Sequence, residues 1–77
     1  MFDYKRLLGR IVEKCDTQAR FAQLMGLSER SISLKLNGKV DFKQSEIDKA
    51  CTILDIPADE IPAYFFNVKV QNLERVV

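Results

Sequence analysis

The sequence has no histidine, three glycines, two prolines and two cysteines. Without histidine, Ser-His, Cys-His and His-metal chemistry are excluded together. Three glycines and two prolines exclude a Gly-rich phosphate cradle, a collagen-like repeat and a Pro-rich linker. Cys15 and Cys51 match neither a zinc nor a Cys-x-x-Cys spacing. Each sits on an apolar helical face, Cys15 beside Ile11 and Cys51 beside Ile47, where a free thiol behaves as a small hydrophobe. No apolar run approaches the roughly 18 residues of a membrane span, and no long apolar stretch follows Met1-Phe2-Asp3-Tyr4-Lys5, so a signal peptide is not expected. The expectation is one small soluble domain, cytoplasmic, with neither cofactor nor metal.

What is present is ordinary globular composition, 47% hydrophobic and 30% charged in 77 residues. A chain of this length buries only about 60% of its unfolded surface, so its core must be tight. The net charge is +1, but the charges are unevenly placed. Residues 1–43 carry nine Lys/Arg and five Asp/Glu, a local excess of +4, while residues 44–66 carry one Lys and five acids, a local −4. A basic end on a nearly neutral molecule is compatible with a nucleic-acid partner, because such binding needs a basic face and not a basic total.

Helical periodicity runs through most of the chain. Asp3 is placed to cap a first helix whose apolar set is Tyr4, Leu7, Leu8, Ile11, Val12 and Cys15. Thr17 caps a second, short helix from Gln18 to Met25, with Phe21, Ala22 and Met25 on one face. Gly26 suits the position after its end, where a positive φ is needed. Ser28 caps a third helix, and Leu27 with Ile32 has the spacing of a hydrophobic staple. That helix runs to Leu36 and stops at Asn37-Gly38. Phe42 and Ile47 repeat the staple spacing around Lys43, with Glu46 three positions into a fourth helix striped by Ile47, Ala50, Cys51 and Leu54. Lys43 is a poor cap. Ile56-Pro57 ends this helix. Residues 57–66 read as one or two short helical turns, and Val68-Lys69-Val70-Gln71 as an edge strand or a disordered tail. The reading is all-α: a compact bundle of four to five short helices over residues 1–66, with a C-terminal tail, extended or flexible, over 67–77.

Residues 18–38 hold two helices of about eight residues joined at a Gly turn. Ala22 is small where the helices must cross closely, Gly26 turns the chain and Ile32 anchors the second helix. This is the physical recipe of a helix-turn-helix. The spacing Gln18-x-x-x-Ala22-x-x-x-Gly26, the cap Ser28, the anchor Ile32 and the exit Asn37-Gly38-Lys39 resemble the Cro/repressor type of helix-turn-helix found in phage regulators and their bacterial relatives. The resemblance covers about residues 3–66. The opening Met1-Phe2-Asp3-Tyr4 and the end Tyr64-Phe65-Phe66 are similar to small phage-encoded members of that group. Lys35 departs from the pattern, which has an apolar residue there. Leu36 is expected to take the core role, with the third helix slightly rotated.

The resemblance implies that the third helix enters the DNA major groove. With Ile32 and Leu36 buried, the opposite face carries Glu29, Arg30, Ser33, Leu34 and Asn37. Arg30 can donate to guanine, Glu29 can accept from cytosine and Leu34 can touch a thymine methyl; with Ser33 these are the candidate base readers. Candidate phosphate contacts flank them. Thr17 and Gln18 stand at the free amides that open the second helix, with the Gln18 clamp implied by the resemblance. Asn37, Lys39 and Lys43 lie beyond the third helix.

The function expected is a sequence-specific transcriptional regulator that binds a near-palindromic operator in double-stranded DNA as a homodimer, in a bacterial host and encoded by a phage or prophage. A protein-interaction module of the same fold, an antirepressor or adaptor, is the alternative, since fold does not fix function. An enzyme is not expected: no paired-carboxylate motif or metal set is present, and the chain is too short to enclose a pocket for a small-molecule substrate. The chain reads either as a complete Cro-like protein or as the DNA-binding half of a longer repressor. Candidate dimer residues are Tyr64, Phe65, Phe66 and Val68, with at least half of the C-terminal cluster, Ile61 and Phe65 among it, expected to close the core instead.

Overall fold

Residues 2–68 are described in the computed structural model. The chain folds as α1 (Lys5–Cys15), α2 (Gln18–Met25), α3 (Glu29–Leu36), α4 (Gln44–Leu54), a 3₁₀ turn (Ala58–Glu60) and α5 (Ile61–Phe65). The helix ends follow local chemistry. The Asp3 carboxylate accepts the Lys5 N–H at 2.9 Å. Thr17 Oγ1 accepts the Arg20 N–H at 3.1 Å and Ser28 Oγ the Ser31 N–H at 3.0 Å, so α2 and α3 are each capped as their sequences require. Gly26 stops α2 at φ 73°, and Gly38, at φ 75°, follows α3. Lys43 offers no acceptor, and the start of α4 is capped from one side only, by Glu46 Oε1 taking the Lys43 N–H at 2.8 Å.

A single core gathers Leu7 and Ile11 of α1, Phe21, Ala22 and Met25 of α2, Ile32 and Leu36 of α3, Ala50 and Leu54 of α4, and Tyr64 and Phe65 of α5. Helix α2 lies against α1, α3 and α4. Both cysteines are free and buried. Val12, read as part of the apolar face of α1, is 60% exposed instead; at the far edge of the stripe it meets no facing helix. Among the described residues, the start of the tail joins the body by one antiparallel bridge between Val68 and Phe2, beside a bond from the Asp3 N–H to the Asn67 carbonyl at 2.6 Å. The rest of the alternating stretch, residues 69–71, lies outside the described residues. No helix among the described residues is long and apolar enough to cross a membrane.

Two long-range anchors fix how the helices meet. Arg10 of α1 reaches the last carbonyls of α4, with Nε donating to Leu54 O at 2.9 Å and Nη2 to Asp55 O at 2.8 Å. A guanidinium there satisfies acceptors that a helix C-terminus leaves free and complements its dipole. Aromatic rings form a continuous row, Phe66 to Phe2 at 5.6 Å, Phe2 to Tyr4 at 6.4 Å, Tyr4 to Phe42 at 5.5 Å and Phe42 to Phe65 at 5.3 Å between centroids. The row ties the N-terminus, the α3–α4 linker and the C-terminal end together.

Candidate nucleic-acid interface

Helix α3 owes its presentation to its two ends. The staple and cap at Leu27-Ser28 fix its start, and Ile32, 0% exposed, pins its inner edge. Glu29, Arg30 and Ser33 point outward and are exposed, whereas Leu34 is half-buried. The Leu34 carbonyl accepts the N–H groups of Lys39 at 2.9 Å and Val40 at 3.3 Å. Leu34 is therefore part of the turn that closes α3, with only the outer part of its side chain free to touch a partner.

The flanking positions divide in the same way. Thr17, Gln18, Asn37, Lys39 and Lys43 are all exposed. Thr17 Oγ1 and O take the N–H groups of Arg20 and Phe21, which leaves the N–H groups of Gln18 and Ala19 directed out of the first turn of α2. Asn37 is engaged within its own helix: its Nδ2 donates to Ser33 O at 2.8 Å and to Ser33 Oγ at 3.3 Å. It closes the C-terminus of α3 and turns Ser33 Oγ toward itself. Arg20 was not singled out by the sequence reading. It shares with Thr17, Gln23 and Glu29 a hollow of about 550 Å³ between the starts of α2 and α3. Its signal was available, since the third residue of a short helix just after its cap faces the same way as the cap.

Two cations of the basic segment are occupied internally. Arg10 holds the end of α4. Leu36 takes the core role expected of it, buried at 8%, but Lys35 does not leave the interior: at 5% exposed it is buried alongside. Burial of its ammonium is compensated by Glu46 Oε1 at 3.0 Å and by the Asp41 carbonyl at 3.2 Å. Burial by itself would raise the Glu46 carboxyl pKa. The Lys43 N–H, the Lys35 ammonium and the Lys43 charge outweigh it and hold the carboxyl below the usual range.

The C-terminal surface is smaller than the sequence implied. Tyr64 and Phe65 are 7% and 1% exposed, and the Arg6 guanidinium lies 5.1 Å from the centre of the Tyr64 ring. Helix α5 turns both rings inward, which leaves Tyr64 and Phe65 little surface to offer a second chain. Phe66 and Val68 are 47% and 63% exposed, and Phe2, absent from the candidate list, packs edge-on against Phe66. Burial pushes the thiols of Cys15 and Cys51 up, away from the reactive thiolate form. Among the described residues no cluster of metal-ligating side chains is present.

A family model described as a protein of unknown function (DUF739) matches residues 1–68. The solution structure of the modulator of repression (MOR) of the temperate bacteriophage TP901-1 from Lactococcus lactis is similar at 57% identity, with a TM-score of 0.77 over 91% of this chain and 95% of that one. No curated protein matches with significance. The similar structure is a phage regulatory protein, in line with the resemblance to small phage-encoded regulators; the Cro/repressor type is a narrower assignment than this neighbour supplies.

Proposed function

The chain belongs to the family described as a protein of unknown function, DUF739, and from the surface that its α2–α3 unit presents we propose that it is a phage-encoded regulator of transcriptional repression. In this reading the exposed face of α3 meets operator DNA in the host cytoplasm, with a second copy on the other half-site. The observation that carries it is the geometry of α3: pinned by Ile32, capped by Ser28, and open at Glu29, Arg30 and Ser33. The outward amides of α2 open the helix that precedes α3, and Lys39 and Lys43 lie exposed in the linker that follows it. Amides and lysines would hold phosphates while Arg30 and Glu29 read base edges. Neither a small-molecule substrate nor a membrane enters this reading.

Selection from a random DNA pool tests it, with enrichment of a two-fold-symmetric motif expected. With about four to six phosphates neutralised per protomer, log affinity for that motif should fall with log salt at about −0.9 per phosphate. Lys39→Ala should weaken binding to all sequences alike and flatten the slope by about one unit. No enrichment, or a slope near zero, overturns DNA reading.

A second reading has its own support. The similar phage protein is named a modulator of repression, and Arg10 and Lys35 are engaged inside the fold, which leaves fewer cations for phosphates. A module that binds a repressor protein, as an antirepressor or adaptor does, needs no basic face. In that case the pool yields no motif, and a phage repressor mixed with this protein loses its operator.

A further inference from the structure

Lys35 is the one charged residue that is buried among the described residues. An aliphatic side chain would fill its place without the cost of removing an ammonium from water, so the lysine calls for a reason in what it reaches. From the last turn of α3 its Nζ extends to Glu46 Oε1 in the first turn of α4, 3.0 Å away, and donates to the Asp41 carbonyl in the linker between them at 3.2 Å. The same Glu46 Oε1 accepts the Lys43 N–H at 2.8 Å. The linker is thus held at its start, middle and end. Its start is tied by the N–H groups of Gly38, Lys39 and Val40, which bond to the carbonyls of Lys35 and Leu34. Its middle and end are held by the packing of Phe42 on Tyr4 and Phe65 and by the N–H groups of Glu46 and Ile47 on the Lys43 carbonyl, and their side-chain bonds come from one ammonium and one carboxylate.

We propose that the Lys35–Glu46 pair is a positioning latch that sets the course of the 37–43 linker, and through it the placement of Lys39 and Lys43 beside the exposed face of α3. An apolar pair of similar volume could fill the same space, but it has neither the donor for Asp41 O nor the acceptor for the Lys43 N–H. Packing and positioning are therefore separable here. Buried ion pairs can be exchanged for apolar residues without loss of stability, while the directional bonds that fix a loop go with the charges. The binding consequence rests on the reading of the α3 face as the partner surface. The linker consequence does not.

Amide hydrogen exchange on the full 77-residue chain separates the two, read at Lys39, Val40 and Lys43 and compared with Asp16, Leu27 and Ile56, whose N–H groups close the ends of other helices. In Lys35→Met/Glu46→Leu the melting temperature is expected to stay at or above that of the wild type. The three linker amides should exchange about tenfold faster or more, with the three reference amides unchanged. Binding of that variant to the selected operator, or to a phage repressor, should fall about tenfold. Lys35→Arg with Glu46 retained should restore linker protection at least in part, which a purely volumetric role would not require. Wild-type protection of the linker amides in the double variant overturns the latch. If the double variant does not fold, Glu46→Ala, which removes the acceptor, is read at the same amides, and unchanged protection there overturns it as well. Should the wild-type chain capture neither DNA nor repressor, the reading of α3 falls, and the exchange measurement still decides the latch.

Discussion

At the residue scale, two glycines of the same chain obey opposite rules. Gly26 sits at φ 73°, and a Cβ placed there would meet only Lys49 Nζ, at 3.8 Å, the far end of a flexible side chain. The constraint is conformational and not steric crowding. Gly26→Val should therefore destabilise by more than about 1 kcal/mol, since a β-branched residue resists the left-handed region. Gly9 lies inside α1, exposed, and a Cβ there would meet nothing within 4 Å. Gly9→Ala should stabilise by about 0.5–1 kcal/mol, because the helix then no longer restrains a freely mobile backbone. Chemical denaturation of the two variants checks both signs in one experiment. Gly26, Thr17 and Ser28 were legible in the sequence because their roles are settled within three or four residues. Lys35 was not. Its side chain goes inward on account of Glu46, eleven positions on, and no window of helical periodicity contains that partner.

At the element scale, helix boundaries could be read and helix docking could not. Caps, staples and stop signals placed the helical segments 18–25 and 29–36, while the fourth helix, read as ending at Ile56-Pro57, stops earlier, at Leu54, where Asp55 turns left-handed. The grip of Arg10 on the end of α4 spans 44 positions, and the aromatic row joins Phe2 and Phe42 to rings near the C-terminus. Neither leaves a periodic trace. The join between α3 and α4 has a consequence in pH. Burial opposes ionisation of Glu46, and the Lys43 N–H, Lys35 and the Lys43 charge overcome it, so the folded pKa lies below the ordinary 4.5. A lowered carboxylate pKa contributes stability that is complete above the unfolded value and is lost as pH falls through the folded one. The difference in stability between the wild type and Glu46→Gln should thus stay constant above about pH 5 and shrink as the pH is lowered below about 4.5. Thermal unfolding of both proteins across that range checks it, because carboxylates common to the two cancel in the difference. A difference that does not change with pH would show that the Lys35–Glu46 contact contributes no net charge stabilisation.

At the scale of the whole molecule, function depends on what the fold leaves outside. The sequence pointed to a basic half, an acidic half and an aromatic end. Folding draws Arg10 and Lys35 inward from the first and Tyr64 and Phe65 from the last. Among the described residues, the apolar side chains that stay exposed at the aromatic end are Phe66, Val68 and, from the other terminus, Phe2. Beside Phe66 an open hollow of about 570 Å³ is lined by Ile47, Ile61, Gln44, Ser45 and Asp48. If α3 reads an operator as proposed, one such helix covers only about four to five base pairs, and two half-sites about 34 Å apart are needed. Among the described residues, these three exposed apolar side chains fall short of the roughly 800 Å² per partner of a stable interface. A homodimer built on them should therefore be weak in free solution and become firm only when both copies are held on one operator, where the effective concentration is high. Light scattering should give a monomer at about micromolar concentration and a growing dimer fraction toward the millimolar range. Phe66→Asp should leave the fold intact, because the ring is half-exposed and its edge-on partner Phe2 is itself exposed, yet weaken binding to a palindromic operator by far more than tenfold, the loss expected when the second half-site is no longer shared. Val68→Asp should act in the same direction and less strongly, since a single bridge to Phe2 holds it. A Phe66→Asp protein that still fills both half-sites cooperatively would move the pairing from this surface to the DNA itself.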